Sequence, residues 1–421
     1  MRQRRHLPGA AVAFAVTLML SGCADADGAS SVAAGTATAG AQPQALPAAP
    51  SGDSTIGVGG SGQPPALPYA HDGRNALQGA AVHAKPLVYV PNQLAGTVQV
   101  IDPSSYTVVA TYPVARSPEH VVPSHDLSTL WVNSDAGNTL TAIDPGTGRV
   151  RGSVPVDDPY NLYFSPDGSE ALVMAERLKR IDVRDPTTMA LRRSVPVPCR
   201  GINHADFSAD LTTMLVSCEF TGQLLVLDAN ATTVQKVIDL NPITTPGATP
   251  PSMARKMGGP MAWLEPGASS MPQDVRLAPD GAHFIVADMM RNGVWVIDAH
   301  TLEVARFVPT GKGAHGIYPS RDADRVYVSN RDEGSISVFD AATLQPVQKW
   351  VLPGGGSPDM GGVTADGSQL WLSGRYNARV YVIDTSTGAL LHSIPVNPGP
   401  HGLLVWPQPG RFSLGHTGNM R

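Results

Sequence analysis

The chain has 421 residues, 42% of them hydrophobic and only 15% charged, with a formal net charge of −5. So sparse and slightly acidic a charge set carries no basic footprint, and no nucleic-acid partner is expected. Gly (43) and Pro (38) are abundant, as a chain with many tight turns requires.

The first segment is a targeting signal. Arg2, Arg4 and Arg5 precede an apolar run from Ala10 to Leu20, which closes on Leu20-Ser21-Gly22-Cys23. A basic start, a short apolar core and small residues before a cleavage point make residues 1–22 a secretory signal. The run is too short for a stable membrane span. Its ending resembles a bacterial lipobox, so Cys23 is the expected lipidation site and the membrane an expected partner through the lipid. In a Gram-negative cell Ala24, rather than Asp, argues against retention at the inner membrane and points to the outer membrane or its periplasmic side. In a Gram-positive cell the chain would sit on the surface. Residues 23–84 are rich in Ala, Gly, Ser, Thr and Pro. They offer too little apolar surface to offset the entropy of ordering and read as a flexible tether.

From residue 85 to 421 the chain is repetitive. An apolar run closed by Asp recurs at Asp102, Asp144, Asp182, Asp228, Asp298, Asp340 and Asp384, at intervals of 42, 38, 46, 70, 42 and 44 residues. A period of 40–45 residues with several strands per unit predicts an all-β, seven-bladed β-propeller. The unit from Ala314 to Pro353 divides into HGIYP, RVYVSN, SISVFD and PVQKWVL. These are short β-branched and aromatic runs between Asp, Gly and Asn turns. The Asp that closes each third strand is expected to cap the turn after it. The first blade lacks an innermost strand, while PHGLLVWP (400–407) is left over at the end. The last segment is therefore expected to supply the inner strand of the first blade and close the ring. With Cys23 lipidated, Cys199 and Cys218 remain. Both fall on one face of one blade in an oxidising compartment, and a disulfide is expected.

The phrases VYVPN, VYVSN and LWVNS, with the first-strand phrases GAHGIYPSRD and GPHGLLVWPQP, resemble the YVTN-type seven-bladed propeller family over about residues 85–410. The resemblance is specific for fold and weak for function. It implies a bacterial surface or periplasmic protein. Similar propellers serve lactonases, virginiamycin-inactivating lyases and the haem- and copper-bearing parts of nitrogen-oxide reductases, and fold alone does not choose among them.

The interval of 70 residues holds about 28 more than a blade needs, an insertion at about 241–271. Met253, Met257 and Met261 within it are spaced for a copper-handling cluster with Met271, Met289 and Met290. However, Gly258-Gly259-Pro260 breaks any helix that would align the first three, and Met is also a common filler under long loops.

Alignment of the first strands places His120, Asn161, His204, Asp274, His315, Met360 and His401 at one equivalent position, near one mouth of the central channel. The set is a candidate ligand site, and His120, His204, His315 and His401 are candidate metal ligands, since imidazole suits copper, zinc and iron. The structural alternative is His bonding to neighbouring backbone. Arg331 and Arg375, with Arg200 and Arg291 in loops of the same face, are candidates for holding an anionic group. No Gly-x-Ser-x-Gly elbow, Walker loop, His-Glu-x-x-His or Cys-x-x-Cys-His is present. No residue is assigned a catalytic role and no cofactor is required; copper or non-covalent haem would fit the His ring. The first expectation is a non-catalytic module of the cell envelope that binds an envelope protein or a small molecule. The alternatives are a copper- or haem-binding propeller, and a lactonase- or lyase-like enzyme using a ring His as acid or base.

Overall fold

The computed structural model describes residues 68–245 and 264–421. Among these residues the strands form seven four-stranded antiparallel sheets, the blades of a propeller. Blade 6 shows the unit: Ala314–Pro319, Arg325–Asn330, Ser335–Asp340 and Gln345–Val351 pair in that order. The first strands of blades 2 to 5 and 7 are Pro118–Pro123, Pro159–Phe164, Ile202–Phe207, Pro272–Leu277 and Pro358–Val363, and they surround the axis. In blade 1 that place is taken by Leu404–Trp406, which pairs antiparallel with Leu87–Asn92, Leu87 facing Trp406 and Tyr89 facing Leu404.

Burial follows the strand pattern. The first strands are almost wholly buried, whereas the outermost strand Thr107–Pro113 alternates exposed and half-buried residues, as an edge with one wet face must. Apolar clusters fill each gap between neighbouring blades. Tyr163, Leu172 and Met174 of blade 3 meet Phe207, Met214 and Val216 of blade 4; Val88 and Val90 of blade 1 meet Trp371 and Val382 of blade 7. The strand-ladder hydrogen bonds thus run within blades and apolar contact fills the gaps between them, each fully buried large side chain contributing about 1.5–3 kcal/mol.

Six of the seven repeated Asp residues cap the following turn. Asp298 Oδ1 accepts from the N–H groups of His300 (2.9 Å) and Thr301 (2.7 Å), and Asp384 Oδ1 from those of Ser386 (2.9 Å) and Thr387 (2.8 Å). Asp182 is the exception. It lies mid-strand, on the same face as Arg180 and Arg184, and pairs with both. Asp185 does the capping there, accepting from Thr187 and Thr188. The blade phase therefore runs through Asp185, and the uneven intervals on either side of Asp182 come from choosing the wrong Asp of Arg180-Ile-Asp-Val-Arg-Asp185.

Cys199 and Cys218 are joined in a disulfide with Cα atoms 6.0 Å apart. Residues 68–84, a tether by composition, are packed on the propeller. Tyr69 Oη donates to Leu277 O at 2.6 Å, and Ala81, in the short 3-10 helix Gly79–His83, is buried in the cluster between blades 1 and 2. A few anchoring side chains suffice where average composition predicts none. The central part of the insertion, with Met253, Met257 and Met261, lies outside the described residues. Its edges are held by Arg200, paired with Glu265 at 3.0 Å, and by Arg291, which donates to Ile243 O (2.6 Å) and Asn241 O (2.8 Å). These two arginines are thus occupied with the insertion rather than with a ligand site.

Residues 407–421 lie across one end of the channel. Phe164 N–H donates to Leu414 O (3.0 Å), His416 N–H to Leu162 O (2.9 Å) and Asn419 Nδ2 to Ala205 O (3.1 Å). Arg421 Nη2 reaches the buried Asp206 Oδ1 at 2.8 Å. The segment carries His416 into the channel, where its ring lies 5.2 Å from His120 and 4.8 Å from His204.

Candidate metal centre

The inner strands bulge where they begin. Pairing with the second strand shifts register between Pro118 and His120, Ile202 and Ala205, Ala314 and Ile317, and Pro358 and Gly361. A bulge lets two successive residues break strict alternation, so Glu119 joins His120, and Asp359 joins Met360, in the channel region.

His120, His204, His315 and His401 form a closed quadrilateral. Ring centroids are 5.4 Å apart for His120–His204, 6.1 Å for His204–His315, 5.9 Å for His315–His401 and 4.9 Å for His401–His120. A fifth ring, His416, arrives from the C-terminal segment, 5.2 Å from His120 and 4.8 Å from His204. All five are buried. Their donor atoms do not meet at one point. Among the described residues they divide into two groups whose ligand atoms lie within 4.8 Å of one another: His120, His204 and His416, and His315, Asp359 and His401.

The rear atoms of the second group are fixed. His401 Nδ1 lies 2.8 Å from Glu119 Oε2, and Glu119 is itself held by Ser117 Oγ (2.9 Å), Gln93 and Arg375. A carboxylate surrounded by donors accepts, so the proton sits on His401 Nδ1 and the lone pair on Nε2. Arg331 grips Asp359 Oδ1 through Nε (2.8 Å) and Nη2 (2.6 Å). That leaves Asp359 Oδ2, 3.7 Å from His401 Nε2, without a protein partner. His315 Nδ1 lies 3.0 Å from Asp359 Oδ1 but off the line of a hydrogen bond, and is likewise unpartnered. In the first group His120 Nδ1 lies 3.0 Å from Tyr160 O, and the Nε2 atoms of His120, His204 and His416 have no protein partner.

Burial governs the charges. It pushes His120 down to about 3 and holds His204, His315, His401 and His416 well below the usual imidazole range, so all five are neutral at physiological pH. Burial raises Glu119 and Asp359, with Arg375 and Arg331 opposing it. It lifts Asp274 to about 6 and Glu219 to about 7. Neutral imidazoles beside a carboxylate form a donor set for a borderline transition metal.

The other expected site residues are also placed. Asn161 bonds His204 and His416 through Nδ2, at 3.3 and 3.0 Å from their Nδ1 atoms. Asp274 Oδ1 is 3.5 Å from His416 Nε2. Met360 is buried but belongs to neither group. Arg331 pairs with Asp359 at 2.6 Å, and Arg375 lies 3.5 Å from Glu119. Met271, Met289 and Met290 cluster with Phe220 and Leu264, and Met289 Sδ faces Arg331 Nη1 at 3.5 Å. Reasoning from the repeat missed Glu119 and Asp359, each one residue before a ring position, and His416, which lies beyond the repeats.

Comparison with known proteins agrees with this architecture. The chain is 23% identical over 288 residues to the uncharacterized protein YncE of Salmonella typhi, covering 66% of this chain and 74% of that protein. Among solved structures it is similar to a functionally unknown protein from Desulfotomaculum acetoxidans, with a TM-score of 0.60 and 16% identity over 77% of this chain and 100% of that one. It is also similar to hydrazine synthase of Kuenenia stuttgartiensis, with a TM-score of 0.56 and 17% identity over 72% of this chain and 94% of that one. At such identities the likeness is one of fold. The family model for the YNCE-like beta-propeller matches residues 62–195 and 261–410, more than half of the sequence, and the chain belongs to that family.

Proposed function

We propose that the protein is a ligand-binding propeller of the cell envelope, and that its ligand is a transition-metal ion in the channel. The carrying observation is the group His315, Asp359 and His401, which bring one ligand atom each within 4.8 Å of one another and each carry a buried atom without a hydrogen-bond partner: His315 Nδ1, Asp359 Oδ2 and His401 Nε2. Left bare, each such atom costs about 1–3 kcal/mol; an ion satisfies all three together. Glu119 behind His401 and Arg331 behind Asp359 are the outer partners that metal ligands require to fix tautomer and orientation. Two imidazoles and a carboxylate suit Zn2+ or Cu2+ and leave a coordination position open. Haem fits less well, because five imidazoles packed ring to ring leave no slot for a macrocycle. The envelope location is supported by the basic start, the apolar run and the Leu-Ser-Gly-Cys ending at Cys23.

The test is metal content. The full chain is loaded separately with Zn2+ and Cu2+, dialysed and analysed by mass spectrometry of the metal. At least one equivalent is expected with one of the ions, reduced at least tenfold in affinity by Asp359→Asn. Less than about a tenth of an equivalent with both would overturn the proposal.

A further inference from the structure

We infer that the channel holds a second transition-metal ion, bound by His120, His204 and His416, so that the C-terminal segment completes the site. The inference rests on the channel being a metal site, but its observations are separate ones. The three residues bring one ring nitrogen each within 4.8 Å of one another, and the Nε2 atoms of all three are buried without a hydrogen-bond partner. A carbonyl only accepts, so His120 Nδ1 carries the proton toward Tyr160 O and His120 Nε2 presents its lone pair.

His416 is supplied at some conformational expense. Its backbone is in the left-handed region (φ 52°), which residues other than Gly seldom adopt. Gly415 beside it (φ 112°) comes so close to blade 3 that a Cβ would lie 2.4 Å from Leu162 O and 2.5 Å from Tyr163 Cα. A segment that only had to plug the channel would be served by any apolar side chain here. This one inserts an imidazole, aimed at two others.

Asn161 distinguishes this group from the other. Its Nδ2 has two hydrogens but three neighbours: Tyr163 Oη (3.2 Å), His416 Nδ1 (3.0 Å) and His204 Nδ1 (3.3 Å). It cannot serve all three. For both Nε2 atoms to bind an ion, the protons of His204 and His416 must lie on Nδ1, so the Asn161 amide must turn its carbonyl oxygen toward them and give up the 2.9 Å bond that Oδ1 accepts from Leu162 N–H. The group offers three imidazole nitrogens, matched to Zn2+ or Cu+, with Asp274 Oδ1 as a neighbour 3.5 Å from His416 Nε2, whereas in the other group the carboxylate is itself one of the three ligands.

Stoichiometry separates this inference from the reading it rests on. The full chain is titrated with Zn2+ and, under reducing conditions that exclude oxygen, with Cu+. Two equivalents are expected with at least one of these ions. His416→Gln, which keeps a polar side chain of similar reach, is expected to retain one, and His315→Gln to retain the other. No bound ion overturns both proposals. One equivalent in the wild type, or two in His416→Gln, overturns this one alone. Should His416→Gln unseat the segment, amide exchange in the wild type decides instead. Loading should slow exchange at residues 414–419 about tenfold or more, and unchanged exchange overturns the inference.

Discussion

Gly402→Ala tests how closely the blades meet at the axis. Gly402 follows His401 in the Pro-His-Gly phrase, and its N–H donates to Glu119 O at 2.8 Å. A Cβ there would lie 2.2 Å from His120 Cδ2, 2.8 Å from His120 Cγ and 3.0 Å from Glu119 O. The imidazole would have to retreat by roughly 1.3 Å to reach ordinary carbon contact of about 3.5 Å. It has nowhere to go, being packed against Tyr160, His204, His401 and His416 and tied to Tyr160 O. Overpacking of this kind costs about 1–3 kcal/mol, and losing the Nδ1 hydrogen bond adds about 1 kcal/mol. A destabilisation of roughly 2–4 kcal/mol is expected, a large share of the usual 5–15 kcal/mol. Gly362→Ala is the matched control. It lies on the inner strand of blade 7, and its Cβ would meet nothing nearer than Gln408 Nε2 at 3.5 Å, so a change within about 0.5 kcal/mol is expected. Urea unfolding followed by tryptophan fluorescence measures both. Equal shifts in the two variants, or Gly402→Ala within 0.5 kcal/mol of wild type, would refute the close packing of the closing segment on His120.

The Cys199–Cys218 bridge closes a loop of sequence separation 19, and chain-entropy arguments assign such a loop roughly 3 kcal/mol. The double Ser variant should lose about that much in urea unfolding, and a loss below 1 kcal/mol would contradict the assignment. Asp72 is buried beside Arg321, Arg421, Asp206 and Arg276, and burial lifts its carboxyl to about 6 against an ordinary 3.8. A raised acid favours the folded state while protonated, so this contribution is present below about pH 4 and is lost as pH rises toward 6 and beyond. Asp72→Asn removes the ionisation, so its stability relative to wild type should rise by up to about 3 kcal/mol between pH 4 and pH 7. A flat difference would show that the carboxyl titrates normally.

The fold could be read because turn chemistry and strand pattern repeat together: a capping Asp after each third strand locates a blade even where the apolar residues vary. The slip at Asp182 shows the limit of that signal, since two Asp residues three apart both end β-branched runs and only burial separates the paired one from the cap. The ring positions were legible for the same reason as the blades, being one residue per repeat at constant phase. Glu119 and Asp359 were not, because strict alternation sends the residue before each ring position to the opposite face, and the bulges that bring it back leave no mark in composition. His416 has no repeat partner, so no phase argument reaches it. Arg331 and Arg375 were legible as cations near a mouth, but their partners, carboxylates of neighbouring blades, were not.

Those arginines bear on what the channel is for. Arg331–Asp359 and Arg276–Asp274, both buried, and Arg375–Glu119, half-buried at the arginine, bring ions close around neutral imidazoles. Buried ion pairs seldom add net stability over apolar residues of the same volume, so packing alone does not account for them. Their hydrogen bonds follow one pattern. Arg331 occupies Asp359 Oδ1 and leaves Oδ2 bare; Glu119 occupies His401 Nδ1 and leaves Nε2 bare; Tyr160 O occupies His120 Nδ1 and leaves Nε2 bare. In each case the protein satisfies the rear atom and spares the one that faces the group. A core optimised for stability would pair those front atoms with each other; instead His401 Nε2 and Asp359 Oδ2 stand 3.7 Å apart, and the nearest approach, His315 Nδ1 to Asp359 Oδ1 at 3.0 Å, is to the oxygen that Arg331 already holds and forms no hydrogen bond. That these pairs are not made is the pattern expected of side chains oriented toward a third party, and it is the strongest reason to test the channel with metal before searching elsewhere for a ligand.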